Sequence, residues 1–174
     1  MTTASLIGIR PATSADLDSI GALTADAYLH DEHVGADSEY LTVLRDATVR
    51  AEQATLLVAM LDDDVVGTVT FARPPSPLAQ IAGPGEAEFR ALAVSPRVRN
   101  RGVGDQLVRA CIDLAAGHGD TALVLSTLDN MHAAHRLYTR RGFHRLPERD
   151  WSPRPGADLQ VYGLVLSSRR PATH

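Results

Sequence analysis

Two rhythms of apolar residues run along this chain. Alternating or continuous β-rich runs occupy Leu6–Arg10, Thr55–Leu61, Val65–Phe71, Glu88–Val94, Leu123–Ser126, Phe143–Leu146 and Leu159–Leu166, and each predicts a strand. Three-and-four spacing predicts the helices. Leu17, Ile20, Leu23 and Ala27 share a face of a helix that starts at a Ser14 cap and reaches Leu29. Asp16 and Asp18 sit in its first turn, at the positive end of the helix dipole. Leu41, Leu44, Ala47 and Ala51 predict a second helix over Glu39–Gln53, and two more fall on Gly104–Ala116 and Ala133–Arg141. Asp62, Asp63 and Asp64 separate two strands as a hairpin turn, and Arg73–Glu86, with four prolines and two glycines, is a long loop of the kind that tends to be functional. The order β-α-α-β-β-β-α-β-α-β-β describes a mixed α/β (α+β) fold, one domain over residues 1–166 with 167–174 as a flexible tail.

Composition narrows the class. At 174 residues, 44% hydrophobic and 22% charged, the chain has the make-up of a single globular domain. Its apolar runs fall far short of the roughly 18 residues that span a bilayer, Met1–Arg10 lacks the features of a secretory signal, and the lone Cys111 forms no internal disulfide. A cytoplasmic location with no membrane partner is the expectation. All 17 basic residues are arginine. Residues 1–90 hold 5 Arg against 14 Asp and Glu, a net of −9, and residues 91–174 hold 12 against 7, a net of +5. That asymmetry suits an anionic ligand on the second half and a cationic one on the first, while the overall −4 argues against a nucleic-acid partner.

Ala91–Gly104, reading ALAVSPRVRNRGVG, is the most specific segment. A buried strand ends at Val94, Ser95-Pro96 stops it, Arg97, Arg99 and Arg101 follow, and Gly102-Val103-Gly104 opens an amphipathic helix. Strand, glycine-bearing turn and helix together aim backbone N–H groups and a positive helix end at a phosphate, and glycine lets the backbone approach the anion. A Walker A loop is excluded because the chain has no lysine, and a dinucleotide fingerprint because Leu107 stands where its third glycine would be.

Arg99–Gly104 resembles the Arg/Gln-x-x-Gly-x-Gly/Ala turn of the GNAT acetyltransferases, and Ala134, Leu137, Tyr138, Gly142 and Phe143 resemble that superfamily's second motif, Ala-x-x-Leu-Tyr-x-x-x-Gly-Phe. The resemblance implies a central, mostly antiparallel mixed sheet flanked by helices, and acetyl-CoA as co-substrate. It implies that the pyrophosphate meets Arg99, Asn100, Arg101, Gly102, Val103 and Gly104, and that the pantetheine arm meets Leu92, Ala93 and Val94. Ala134 matches the cofactor-side helix. The asparagine that many members carry three residues before it is here Met131, with Asn130 one position earlier as a cofactor contact.

Tyr138 carries the chemistry that the resemblance implies, since a phenol of pKa about 10 can protonate the departing thiolate. An alkylammonium acceptor is only about one part in a few thousand neutral at pH 7, roughly 4 to 5 kcal/mol of barrier, so a base is needed. Glu88 is the candidate base, where several relatives place a glutamate. Arg90, next on the same strand face, offers the alternative of a structural ion pair, and Glu86 stands in reserve. His30–His33 with Asp37 suits a cationic amine or is an ordinary acidic loop. Glu148–Trp151 is an acceptor wall or a packed aromatic. The histidines make no metal site, and Cys111 reads as core.

These readings converge on a cytoplasmic, bacterial N-acetyltransferase acting by direct attack of a small-molecule or peptide amine on acetyl-CoA in a ternary complex, with a homodimer through the last strands open to it. The alternative is a non-catalytic acyl-CoA-binding sensor or regulatory module.

Overall fold

The computed structural model describes residues 6–167. Their elements run β1 (Ile7–Pro11), α1 (Leu17–His30), α2 (Tyr40–Arg45), α3 (Thr48–Gln53), β2 (Thr55–Leu61), β3 (Asp64–Ala72), β4 (Glu86–Val94), α4 (Val103–Gly117), β5 (Ala122–Leu128), α5 (His132–Arg140), β6 (His144–Arg145) and β7 (Leu159–Val165). The strands form one sheet in the order β1-β2-β3-β4-β5-β7-β6. Every neighbouring pair is antiparallel except β4 and β5. The mixed, mostly antiparallel sheet flanked by helices is therefore present. Of the segment 167–174, all but Ser167 lies outside the described residues.

Strand alternation divides the core between two faces. Leu57, Val69, Phe71, Ala87 and Phe89 pack on one face against Val103, Leu107, Val108 and Cys111 of α4 and Leu137 and Tyr138 of α5. Leu56 and Val58 pack on the other against Ile20 of α1 and Ala47. The helices lie close. A Cβ on Gly67 would stand 2.8 Å from Val103 Cγ1, and one on Gly21 would stand 1.9 Å from the Arg45 carbonyl oxygen.

One expectation is corrected. The segment read as a single helix over Glu39–Gln53 is two short helices, α2 and α3, broken at Asp46 (ψ 94°). The Asp46 carboxylate accepts the Thr48 N–H at 3.0 Å, the local side-chain bond by which aspartate competes with helix continuation. The buried Arg50 guanidinium takes up the freed carbonyls of Val43 and Leu44, each at 3.0 Å. The i, i+3 spacing of Leu41, Leu44 and Ala47 survives the break, so periodicity alone did not show it. Among the described residues no helix is long and apolar enough to cross a membrane.

Candidate active site

The sheet opens at its centre. Strands β4 and β5 pair only at Glu86–Ala122, Ala87–Leu123 and Glu88–Val124. Farther on, β4 stays with β3 while β5 stays with β7. A bulge turns β4 away: Arg90 faces Thr70 and Ala93 faces Thr68, so Ala91 and Leu92 together oppose Val69. Ala91 takes φ 52°, a left-handed conformation costing an alanine about 1–3 kcal/mol. Bulges bend and twist the strand that carries them. The result is a cleft walled by Phe89–Val94, including Leu92, Ala93 and Val94, whose β5 side has no strand partner.

The turn at the end of β4 forms one edge of the cleft. Asn100 (φ 63°) and Gly102 (φ 77°) reverse the chain into α4. The first helical bond is Gln106 N–H to the Gly102 carbonyl, at 3.0 Å. The N–H groups of Val103, Gly104 and Asp105 therefore have no intrahelical acceptor and stand at the positive helix end. Gly102 needs its glycine for the backbone angle, and no atom lies within 4 Å of where a Cβ would be. Gly104 needs it less, because a Cβ there would meet Leu137 Cδ2 at 3.4 Å. Asn100 and Arg101 are exposed. Asp105, the acid beside this edge, is paired with the Arg141 guanidinium, which holds its carboxyl below the usual carboxylate range. These features, open space over glycine and free amides at a helix start, fit a pyrophosphate.

The Arg99 side chain does something the sequence did not disclose. It donates to both carboxylate oxygens of Asp31, at 2.8 and 2.7 Å, and to the Val94 carbonyl at 3.3 Å. Asp31 is thus committed to Arg99 on the turn after β4 and is not a free anion awaiting a cationic amine. Two residues on, the His33 imidazole lies beside the Asn130 amide, and burial pushes its pKa down. The loop after α1 therefore touches both the turn after β4 and the loop between β5 and α5.

Tyr138 lies on the α5 face of the opening. Its ring meets Phe89 of β4 edge-on at 5.7 Å, and Phe143 and Tyr162 at 6.0 Å each. It is 5% exposed, and its hydroxyl has no hydrogen-bond partner among the described residues. Burial pushes the phenol's pKa up, so the proton-donating form is the one present near neutrality. Ala134, one turn earlier on α5, packs half-buried against the same core cluster. His135 bonds the Leu128 carbonyl at 2.9 Å, and no group of three or more His, Cys, Asp or Glu among the described residues could hold a metal ion.

Glu88 lies on the opposite sheet face from its neighbour Phe89, and so across the opening from Tyr138. It is 2% exposed, and one carboxylate oxygen accepts the N–H groups of Ile81 and Ala82, at 2.9 and 3.1 Å. Burial outweighs these bonds and raises its pKa. The alternative of a direct pair with Arg90 is not what forms: the Arg90 guanidinium donates to the Gln80 side chain at 3.0 Å and the Leu78 carbonyl at 3.4 Å. Glu86 is held by Arg149, at 2.8 and 3.1 Å, and its carboxyl lies below the ordinary range. Trp151 donates its indole N–H to Ser126 on β5 at 2.9 Å, and Arg154 stacks over the Tyr40 ring at 4.8 Å, so the loop before β7 reaches α2. The bulge at Ala91, the Ile81 and Ala82 amides and the Arg149 clamp had no signal in residue type or spacing.

A cleft with a free-amide turn at one end and a protonated phenol and a buried carboxylate on its two sides can accept an acyl thioester. Residues 20–143 match the Acetyltransferase (GNAT) family. The chain belongs to that family. It is 33% identical over 104 residues to the human N-acetylaspartate synthetase, a match covering 60% of this chain and 32% of that protein. The match thus spans about a third of the relative's length. The fold is that of a GNAT-family acetyltransferase from Staphylococcus aureus Mu50, with TM-score 0.74, 16% identity and coverage of 93% and 100% of the two chains. The PaiA N-acetyltransferase from Thermoplasma acidophilum, solved with coenzyme A, gives TM-score 0.71 at 16% identity over 92% and 99%.

Proposed function

We propose that this GNAT chain transfers the acetyl group of acetyl-CoA to an amine of a small molecule or peptide by direct attack within a ternary complex. One observation carries the reading: the opening between β4 and β5 has Tyr138 on one sheet face and Glu88 on the other, with the free amides of the α4 turn at its end. Backbone of Arg99–Gly104 holds the pyrophosphate, Leu92–Val94 line the pantetheine and thioester, and Asn130 and Ala134 close the α5 side. The amine nitrogen bonds to the thioester carbon and loses its proton to Glu88. A backbone N–H of the Leu92–Val94 strand stabilises the oxyanion. As the carbon–sulfur bond breaks, the sulfur takes the Tyr138 proton and leaves as the thiol, and the tyrosine and glutamate return to their starting states through solvent. Membership of the family supports acyl transfer and acetyl-CoA as co-substrate. A cytoplasmic, bacterial setting, a single domain over residues 1–166 and a homodimer through the last strands are parts of the same proposal.

Calorimetric titration with acetyl-CoA tests the cofactor half, with 3′-dephospho-CoA for comparison. Micromolar binding, about −8 kcal/mol, is expected, and no heat at several temperatures would remove the reading's main support. Thiol release over a panel of amines tests the transfer. Binding without release by wild type, together with no effect of replacing Tyr138, would identify a sensor instead.

A further inference from the structure

Most guanidinium groups around this cleft are already matched. Arg99 is bonded to Asp31, Arg149 to Glu86 and Arg141 to Asp105, while Arg50 is spent on backbone carbonyls. Arg90, within the strand that carries Glu88, is not matched to a carboxylate. It is half-buried on β4, no carboxylate lies within ion-pair reach of it among the described residues, and only one of its terminal nitrogens, Nη1, is engaged, by two neutral oxygens. The other terminal nitrogen and Nε are free to donate. A guanidinium fork with free donors beside a cleft is shaped for a carboxylate, which it binds through two parallel, charge-assisted hydrogen bonds.

Its place relative to Glu88 adds a second constraint. The two residues are separated by one position on the strand, so their side chains leave the same face with Cα atoms about 6.4–6.8 Å apart. Glu88 does not turn towards Arg90, because the Ile81 and Ala82 amides hold it. Across the ladder from Arg90, Thr70 shares that face. It is 1% exposed, and its hydroxyl has no hydrogen-bond partner among the described residues. One sheet face thus carries a carboxyl group held away from a cation, with an unused hydroxyl beside the cation. A molecule whose ammonium and carboxylate are only a few bonds apart complements that arrangement end to end.

We propose that the acceptor is an amino acid, an amine carrying its own carboxylate, and that Arg90 binds the carboxylate while Glu88 receives the amine. The inference rests on the acetyl-transfer reading above and narrows it to one class of acceptor. The product is then the N-acetyl amino acid, with free coenzyme A released as the thiol.

The test is thiol release from acetyl-CoA by the full chain, comparing the common amino acids with their carboxamides and with a polyamine. At least one amino acid is expected to exceed its own carboxamide by about 10- to 100-fold in kcat/KM, the span of a charge-assisted bond. Arg90→Gln should collapse that ratio towards one through KM, and Arg90→Lys, which keeps the charge without the fork, should restore part of it. Thermal melts and acetyl-CoA calorimetry establish that the variants are folded and bind cofactor. Equal use of acids and carboxamides by wild type, release with the polyamine alone, or no release with any amino acid would overturn the inference and leave acetyl transfer standing. Absence of acetyl-CoA binding would instead remove the reading beneath it.

Discussion

Arg149 ties the proline-rich loop to the strand that carries Glu88. Its guanidinium holds Glu86, at 2.8 and 3.1 Å, and the Ile81 carbonyl at 2.5 Å, while the amides of Ile81 and Ala82 hold Glu88. The clamp and the charge of Arg149 both favour the ionised form of Glu88. Arg149→Met is therefore expected to raise the Glu88 pKa further and to move the acid limb of the kcat/KM profile to higher pH. Arg149→Lys, with charge but no fork, should move it less. A profile identical to wild type would show that the clamp does not reach the base.

Tyr138→Phe removes a hydroxyl that has no partner among the described residues and leaves the ring among Phe89, Phe143 and Tyr162. Its fold and acetyl-CoA affinity should match wild type. The expected loss is about 10²–10⁴-fold in kcat, read by steady-state thiol release.

Glu88→Gln should slow transfer and abolish the acid limb of the pH profile. Its stability changes in the other direction. The fold raises the pKa of Glu88 and so favours its protonated form. That contribution is complete below the ordinary carboxylate range and is lost as pH rises through the raised value. Glutamine cannot ionise, so the variant should melt above wild type near neutral pH and level with it in acid. Melting curves across that window decide it.

Gly21→Ala tests the α1–α2 contact. The new Cβ would stand 1.9 Å from the Arg45 carbonyl oxygen, a backbone atom that moves only if α2 moves. A loss of about 1–3 kcal/mol is expected. At ~2–4 °C per kcal/mol for a chain of this size, calorimetry will register it.

How much of this was legible beforehand depended on the kind of signal. The strands, and α1, α4 and α5, were legible because each buries one regular face, and the Ala91–Gly104 segment because few structures need that order of strand, arginine and glycine. The break at Asp46 was hidden, since a local hydrogen bond decides it and the apolar spacing runs through unchanged. The bulge at Ala91 was hidden for a related reason. Left-handed positions are usually advertised by glycine, and here an alanine is forced into one by pairing with Thr68 and Thr70. Glu88 was readable as a candidate, but not whether Arg90 would neutralise it. That was settled by amides at Ile81 and Ala82, which every sequence has and no sequence displays.

The narrow junction between β4 and β5 has a mechanical consequence. Three residue pairs stitch the sheet's two wings together, and past them packed helices and a few loop contacts join the wings in place of a strand ladder. A thioester arm laid along Phe89–Val94 would act as a spare rung, taking up backbone groups that the departed strand leaves idle. The cofactor would then be part of the scaffold as well as a reagent. By mass action, saturation at a hundred times its dissociation constant would add about 2.7 kcal/mol to the folded state. Amide exchange should slow along both margins of the seam, Phe89–Val94 and Leu125–Leu128, more than at the outer edges of the sheet.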